Sequence, residues 1–327
     1  MINEISSLLF LIVWFIYVSL VFLVPSFLIN KHQFLSSTVK TIFQSLVSNQ
    51  LKNGFNPNIY YTNNIEQSEN KVDIVICNHV STIDWEIILT IFNHFGIHNY
   101  MMVGKKELIY FPGFGFHFMV DNHIKLARNW EEDKQTISNQ IDKINNGVIF
   151  IFPEGTRFEP KKRDDGQKYA KENKLPNYDY LLVPKSKGFW TFYNLLKEKN
   201  KMGKIYDMTI VMQNFVGETA YLSDLTSKKT GNIFVINREL EHPELYIENN
   251  DFKKWLLNEW KTKDNLIKMY QKLIYQKMDI IVNKDHLFQS IIFMVIISWL
   301  LYQKKEFRYY MVISMILSIL IVKFKKL

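Results

Sequence analysis

The sequence predicts an α/β fold with a mostly parallel central sheet flanked by helices, together with N-terminal and C-terminal membrane helices. Short runs rich in β-branched and aromatic residues, such as residues 72–77 and 148–152, are typical of buried strands. Helical patterns lie between such runs, and strands that alternate with helices favour a parallel sheet. Apolar runs near both ends of the chain predict the membrane helices.

The elements of the predicted domain follow one another as strand-turn-helix units. A polar connector, residues 49–70, precedes the first strand. Strands are predicted at residues 72–77, 148–152, 208–215 and 233–237, and helices at residues 85–95, 129–145, 188–199 and 251–284. Residues 159–174 mix charges of both signs and indicate a solvated loop or helix.

Membrane attachment is predicted by the apolar runs. Residues 8–29 carry no charge, and at about 1.5 Å per residue they reach about 33 Å, which is enough to cross a bilayer. A cleaved signal peptide is the alternative, but no basic segment precedes the run and no small-residue cleavage site is clear. Residues 287–302 and 309–322 are each short for a single span. A transmembrane or re-entrant hairpin, a position partly in the membrane interface, and buried helices of a soluble domain all stay open.

Three regions follow: residues 1–48 as an N-terminal membrane-anchoring region, residues 49–284 as the α/β domain, and residues 285–327 as a C-terminal hydrophobic hairpin. Lysines concentrate on the cytoplasmic side of membrane spans. They follow the first apolar run and do not precede it, so the main domain is expected to face the cytosol. The lysines of residues 323–327 resemble a dilysine retrieval signal of the endoplasmic reticulum, although ordinary basic flanking of a span explains them equally well.

The net charge of +8 suits a protein that works on an anionic membrane face or on acidic ligands. Nucleic acid is a poor alternative, because the lysines are scattered and neither a basic-aromatic module nor a zinc-ligand spacing is present. The single cysteine, Cys77, excludes a framework of intrachain disulfides.

A histidine and an aspartate five residues apart follow the first predicted strand, in the segment Asn78-His79-Val80-Ser81-Thr82-Ile83-Asp84. A histidine that a carboxylate orients is the usual device for removing a proton from a hydroxyl near neutral pH. The alternative is structural: Ser81 caps the next helix and Asp84 occupies its third position. The turn before the helix lets His79 fold back towards Asp84, so the spacing permits a catalytic pair.

A second turn, Phe152-Pro153-Glu154-Gly155-Thr156-Arg157, follows the next predicted strand of the pattern. Pro153 and Gly155 are explained by a strand-ending turn. Arg157 is not required by a turn, and its planar guanidinium suits a phosphate group. Because ligands bind beyond the carboxyl ends of parallel strands, His79 and Arg157 are expected to share one crevice. Together they indicate acyl transfer to an alcohol on a phosphorylated substrate.

Four sequence blocks, in this order, resemble those of the lysophospholipid acyltransferases of the 1-acylglycerol-3-phosphate acyltransferase type. The blocks are residues 78–84, residues 104–108 with 126–130, residues 152–157 and residues 182–189. The last block, Trp255 and the paired terminal apolar runs look most like the eukaryotic branch that includes the lysocardiolipin acyltransferases.

This resemblance implies that His79 is the general base and that Asp84 orients it. The glycerol hydroxyl of a lysophospholipid would attack the thioester carbonyl of acyl-CoA, without an enzyme nucleophile, a metal or a cofactor beyond the acyl-CoA co-substrate. The implied substrate-binding residues are Glu154, Gly155, Thr156, Arg157, Arg128 and Lys105.

The default reaction converts 1-acyl-sn-glycerol-3-phosphate to phosphatidic acid, with lysophosphatidylinositol and lysocardiolipin as alternative acceptors. Two further hypotheses stay open: a CoA-independent phospholipid transacylase and a catalytically inactive membrane-binding scaffold. The expected partners are acyl-CoA, a lysophospholipid and the bilayer, but not nucleic acid. The expected location is a multi-pass position in the endoplasmic reticulum membrane with a cytosolic catalytic domain; the mitochondrial outer membrane is the alternative.

Overall fold

The computed structural model describes residues 40, 41, 43–45, 47, 48, 51, 57–110, 117, 118, 122–221, 224, 231–243, 249–270 and 279–280. The predicted membrane segments at residues 8–29, 287–302 and 309–322 lie outside these residues. Within the described ranges, no helix has both the length and the apolar character needed to cross a bilayer. The division into three regions stays a prediction.

A sheet of eight strands forms the centre of the described part of the chain. In chain order the strands are β1 (Ile59–Thr62), β2 (Val72–Cys77), β3 (Tyr100–Lys105), β4 (Ile124–Leu126), β5 (Gly147–Ile151), β6 (Met202–Met212), β7 (Ile233–Leu240) and β8 (Asp279–Ile280). Their spatial order is β4-β3-β5-β2-β6-β7-β1-β8. The β6–β7 and β1–β8 pairs are antiparallel and the remaining neighbours are parallel, which confirms a mostly parallel sheet.

Helices cover both faces of this sheet. They are α1 (Asp84–His94), α2 (Trp130–Lys143), α3 (Pro160–Glu172), α4 (Ser186–Glu198) and α5 (Asn249–Tyr270), and a 3₁₀ turn spans Lys106–Tyr110. Successive side chains of β2 enter two cores: Val75 packs with α1, whereas Ile74 and Ile76 pack with α2, α4 and α5. Because β2 is buried on both faces, it needs a continuous apolar run rather than an alternating one.

The local predictions agree best where the pattern is strongest. The first predicted strand matches β2 at both ends, and the helices predicted at residues 129–145 and 188–199 match α2 and α4 within two residues. The mixed-charge stretch at 159–174 contains the helix α3. Strand β6 begins six residues before the predicted 208–215 strand and ends at Met212.

Two of the predicted elements were wrong. Strand β1 lies inside residues 49–70, which we expected to be a polar connector. The strand has only four residues and polar residues surround it in the sequence, so the hydrophobic pattern did not indicate it, although it pairs with β7. The helix predicted at 251–284 does not run to its predicted end, because Asp279–Ile280 pairs with β1 as a strand. Strands β3 and β4 were not predicted.

Candidate active site

Parallel pairing brings the two motifs together. Strands β2 and β5 are neighbours with Ile76 opposite Ile151, so the segments that follow them leave the same edge of the sheet. The backbone N–H of Phe158 donates to the carbonyl oxygen of His79 at 2.6 Å. Residues more than seventy positions apart therefore lie side by side, while a crevice shared by His79 and Arg157 stays a prediction.

The side chain of Asn78 fixes the point at which the chain leaves β2. Its Oδ1 accepts from the backbone N–H of Ile210 at 2.8 Å, and its Nδ2 donates to the carbonyl of Ile210 at 2.9 Å. A carboxamide offers both a donor and an acceptor, so this buried side chain imitates one more pair of the β2–β6 ladder. The main chain is thus free to turn away from the sheet at His79.

His79 and Asp84 are in direct contact. The Nδ1 atom of His79 lies 2.8 Å from Oδ2 of Asp84, whose side chain is fully buried while that of His79 is 22% exposed. A carboxylate accepts, so in the neutral imidazole this contact favours the tautomer with the proton on Nδ1 and the lone pair on Nε2. The arrangement leaves a partly exposed imidazole whose orientation Asp84 restrains.

The predicted helix cap at Ser81 was wrong. Helix α1 begins at Asp84 with Ile83 at the N-cap position, and no side chain caps it. The Oγ of Ser81 instead accepts from the N–H of Ile83 at 3.3 Å, and the N–H of Ser81 donates to Oδ2 of Asp84 at 2.8 Å. The same carboxylate oxygen therefore holds both the loop and the imidazole.

The turn after β5 has the geometry that its glycine predicts. Gly155 has φ of +70°, and its N–H donates to the carbonyl of Phe152 at 2.9 Å. Glycine adopts this left-handed conformation without a steric penalty. The Oγ1 of Thr156 accepts from Nζ of Lys162 at 2.9 Å, and Arg157 is half-buried.

Glu154 lies beneath this turn and is only 2% exposed. Burial raises the pKa of its carboxyl group well above the ordinary value; the nearby charge of Asp84 adds to this effect and that of Lys263 opposes it. Neither carboxyl oxygen has a hydrogen-bond partner of good geometry among the described residues, although the backbone N–H groups of His79 and Leu182 lie close enough to lower the pKa. Its role in substrate binding stays a prediction.

The two other predicted cations lie further along the same edge. Lys105 ends β3 and is exposed; Arg128, also exposed, lies between β4 and α2 with φ of +64°. A left-handed conformation costs a non-glycine residue about 1 kcal/mol or more. Because the sheet order is β4-β3-β5-β2, Lys105 and Arg128 lie one and two strands beyond the turn that follows β5.

Sequence reasoning did not assign a site role to two lysines of the fourth block. The N–H of Lys185 donates to the carbonyl of Pro153 at 2.8 Å, which ties the fourth block to the third. Lys187 places Nζ 3.9 Å from the ring centre of Trp130, in the second block. The match of the fourth block, residues 182–189, was the signal in the sequence that pointed to these lysines. The spacing of residues along the chain did not show which neighbours their side chains contact.

A buried ion pair behind the site was also missed. Nζ of Lys263, from α5, lies 2.5 Å from Oδ1 of Asp207 on β6, and both side chains are fully buried. Lys263 also donates to the carbonyl of Met208 at 2.8 Å, and Arg238 pairs with Asp207 from β7. In the described ranges, no cluster of three or more His, Cys, Asp or Glu residues is arranged to hold a metal ion.

Part of the chain matches a known protein family. Residues 58–213 match the family model described as Acyltransferase. Lysophosphatidylinositol acyltransferase 10 of Caenorhabditis elegans is 26% identical over 59% of this chain and 51% of its own length. Probable 1-acyl-sn-glycerol-3-phosphate acyltransferase 5 of Arabidopsis thaliana is 28% identical over 59% and 52%, and lysocardiolipin acyltransferase 1 of Gallus gallus is 25% identical over 60% and 53%. The chain thus spans about half the length of these relatives.

A solved structure shares the fold. The crystal structure of the 1-acyl-sn-glycerophosphate acyltransferase PlsC from Thermotoga maritima aligns over 84% of this chain and 100% of that chain, with a TM-score of 0.51 and 16% sequence identity. At this identity the similarity shows the α/β architecture.

Proposed function

We propose that this protein, whose residues 58–213 match the family model described as Acyltransferase, moves a fatty acyl group from acyl-CoA to the free glycerol hydroxyl of a lysophospholipid. The observation that carries the proposal is the 2.8 Å contact between Nδ1 of His79 and Oδ2 of Asp84. This contact leaves Nε2 able to accept a proton, at the edge of the sheet where ligands bind in such folds.

In the proposed mechanism, Nε2 of His79 removes the proton from the acceptor hydroxyl while the oxygen attacks the thioester carbonyl. Asp84 stabilises the imidazolium that forms. The tetrahedral intermediate collapses to the ester, the C–S bond breaks, and the imidazolium returns the proton to the sulfur of coenzyme A.

An enzyme nucleophile has no place in this scheme. Cys77 is close in sequence to His79, but it is fully buried, and burial raises the pKa of its thiol well above the ordinary value. A thiol that stays protonated is a poor nucleophile. Cys77 therefore acts as a small core residue.

Arg157 is the proposed ligand of the acceptor phosphate. It is half-buried and follows the left-handed Gly155, and a planar guanidinium can form paired hydrogen bonds with phosphate. Thr156, Arg128 and Lys105 are proposed to add polar and positive groups, and acyl-CoA is proposed as a co-substrate without a further cofactor.

The proposed acceptor is 1-acyl-sn-glycerol-3-phosphate, which gives phosphatidic acid; the name of the Arabidopsis relative supports it. Lysophosphatidylinositol and lysocardiolipin are the second candidates for the acceptor, because the nematode and chicken relatives are named after these lipids. We place the reaction at a membrane, with the predicted apolar segments as anchors, the endoplasmic reticulum as the organelle and the catalytic domain in the cytosol. The membrane solubility of both lipid substrate and product supports this placement.

An acceptor panel tests the proposed reaction. Membranes from cells that express the full chain are incubated with labelled oleoyl-CoA and, in separate reactions, lysophosphatidate, lysophosphatidylinositol and lysocardiolipin. Labelled diacyl product on lysophosphatidate above the level of control membranes is the expected result. Transfer that depends on a labelled phospholipid donor and not on oleoyl-CoA would identify a transacylase and contradict the proposal.

A further inference from the structure

Lys185 packs across the turn that carries Arg157. Its Nζ and Cδ atoms each lie 3.5 Å from the position that a Cβ atom on Gly155 would occupy. Gly155 has no side chain, and its φ of +70° disfavours one. The lysine stem therefore lies directly against the backbone of the turn and brings a positive charge to it.

Lys187, two residues later, reaches a different part of the sequence. Its Nζ lies 3.9 Å from the centre of the Trp130 ring, and Trp130 follows Arg128 by two residues. A cation over an indole face is attracted to the ring even at an exposed site. The ring holds the ammonium group in place without neutralising its charge, so the charge stays available to an anion.

The charges of these two lysines are not balanced by acidic side chains among the described residues. The first turn of α4 has no acidic residue, and neither lysine is in an ion pair there, whereas Lys106, Lys162 and Lys199 each pair with a carboxylate. Positive side chains at this end of a helix are disfavoured by the helix dipole. An anion bound between them would remove this cost.

Both lysines lie at the edge of the sheet that carries His79. Helices α2 and α4 lead directly into β5 and β6, which run parallel to β2. A helix that leads into a parallel strand begins at the carboxyl edge of the sheet. The hydrogen bond from Lys185 N–H to the carbonyl of Pro153 places the start of α4 against the turn itself.

We propose that Lys185 and Lys187 form a second phosphate-binding subsite, between the turn of Gly155 and the ring of Trp130. The inference rests on the proposed function, in which both substrates carry phosphate esters: the headgroup of the lysophospholipid, and the pyrophosphate and 3′-phosphate of coenzyme A. The ligand chemistry is a phosphate ester, for which two ammonium point charges supply attraction from several directions.

The test compares two double variants of the full chain. Lys185→Gln with Lys187→Gln removes the subsite charges. Lys143→Gln with Lys197→Gln is the matched control, because it removes two lysine charges from the last turns of α2, which carries Trp130, and of α4, which carries Lys187. The Michaelis constants for oleoyl-CoA and 1-oleoyl-lysophosphatidate are measured separately, each with the other substrate saturating.

We expect the subsite variant to raise one of these constants by about tenfold or more, since charge-assisted hydrogen bonds are lost, and the control variant to leave both constants unchanged. A rise for oleoyl-CoA assigns the subsite to the donor phosphates, and a rise for lysophosphatidate assigns it to the headgroup. Wild-type constants for both substrates in the subsite variant would overturn the proposal.

Direct binding measurements test the phosphate-binding subsite independently of the proposed reaction. Dissociation constants for coenzyme A and for glycerol 3-phosphate are measured by calorimetry on the detergent-solubilised wild type and both variants. If the wild type shows no turnover but the subsite variant binds one probe about tenfold more weakly than the wild type does, the acyltransferase proposal fails and the subsite stands. Equal binding by all three proteins, or no binding of either probe to the wild type, overturns the subsite.

Discussion

The ring of Phe152 stacks on the imidazole of His79, with the ring centres 4.3 Å apart and the planes 21° apart. The contact joins the first sequence block to the third. It covers one face of the imidazole, while Asp84 holds Nδ1. Two independent contacts therefore fix the orientation of His79 before any ligand binds, and a fixed orientation is a main source of catalytic efficiency.

Replacing Phe152 tests this restraint. We expect Phe152→Ala to lower kcat by about tenfold to a hundredfold, because the imidazole gains freedom to rotate. Phe152→Tyr keeps an aromatic ring against His79 and is the control, with kcat close to the wild-type value. An unchanged kcat in Phe152→Ala would show that Asp84 alone is sufficient to position the base.

Asp84→Asn separates the two roles of this carboxylate. The amide oxygen can still accept from the N–H of Ser81, so the melting temperature should change little. The negative charge that stabilises the imidazolium is lost, and kcat should fall by about a hundredfold or more.

Ser81→Ala is the matched control for Asp84→Asn. It removes the hydroxyl that accepts from Ile83 and leaves the imidazole contact intact. A lower melting temperature with near-wild-type kcat is expected. Equal loss of kcat in both variants would mean that the loop, and not the carboxylate charge, limits the reaction.

The buried pair of Lys263 and Asp207 predicts a strong effect on stability. Lys263→Met leaves Asp207 with Arg238 as its remaining cationic partner in the described structure. We expect the free energy of unfolding to fall by about 3 kcal/mol, since breaking a buried pair is far costlier than replacing both partners.

A double-mutant cycle measures the coupling of this pair. The variant that combines Lys263→Met with Asp207→Asn should lose less stability than the sum of the two single variants. Urea denaturation of the four proteins gives the coupling energy. Additive losses would show that Lys263 and Asp207 stabilise the fold independently.

Glu86 predicts that stability depends on pH. Its side chain is 4% exposed, and burial raises its pKa from the ordinary 4.5 to about 8. Between these values the unfolded chain releases the proton and the folded chain keeps it. Stability therefore falls as pH rises through this window, by about 1.4 kcal/mol per pH unit at most, and this contribution is constant below and above it.

Thermal denaturation between pH 4 and pH 9 tests the role of Glu86. The variant Glu86→Gln cannot ionise, so its melting temperature should exceed that of the wild type near pH 8, and the difference should shrink towards pH 4.5. Parallel curves for the two proteins across the range would contradict the assignment to Glu86.

The parts of the site that depend on neighbouring residues in the chain were predictable. The apolar run before Asn78 predicts β2, and the turn after it brings His79 back to Asp84. The shared edge with Arg157 followed from the general rule for parallel sheets. Each of these inferences needed only local patterns and one rule of topology.

The parts that depend on distant partners were not predictable. The pairing of Asn78 with Ile210 needs the register of β2 against β6, and the burial of Lys263 needs the packing of α5 on the sheet. Strand β1 is four residues long and is stabilised by β7, which follows it by about 170 residues. A single sequence does not carry such long-range information in its hydrophobic pattern.

The turnover of His79→Ala tests whether this histidine is the general base. Labelled oleoyl transfer to lysophosphatidate is measured in membranes that contain equal amounts of wild-type and variant protein. General-base catalysis predicts a loss of at least about a hundredfold in kcat, with the variant present at wild-type abundance. Wild-type turnover in His79→Ala would rule out His79 as the general base, and no other residue of the proposed site is assigned to take the proton.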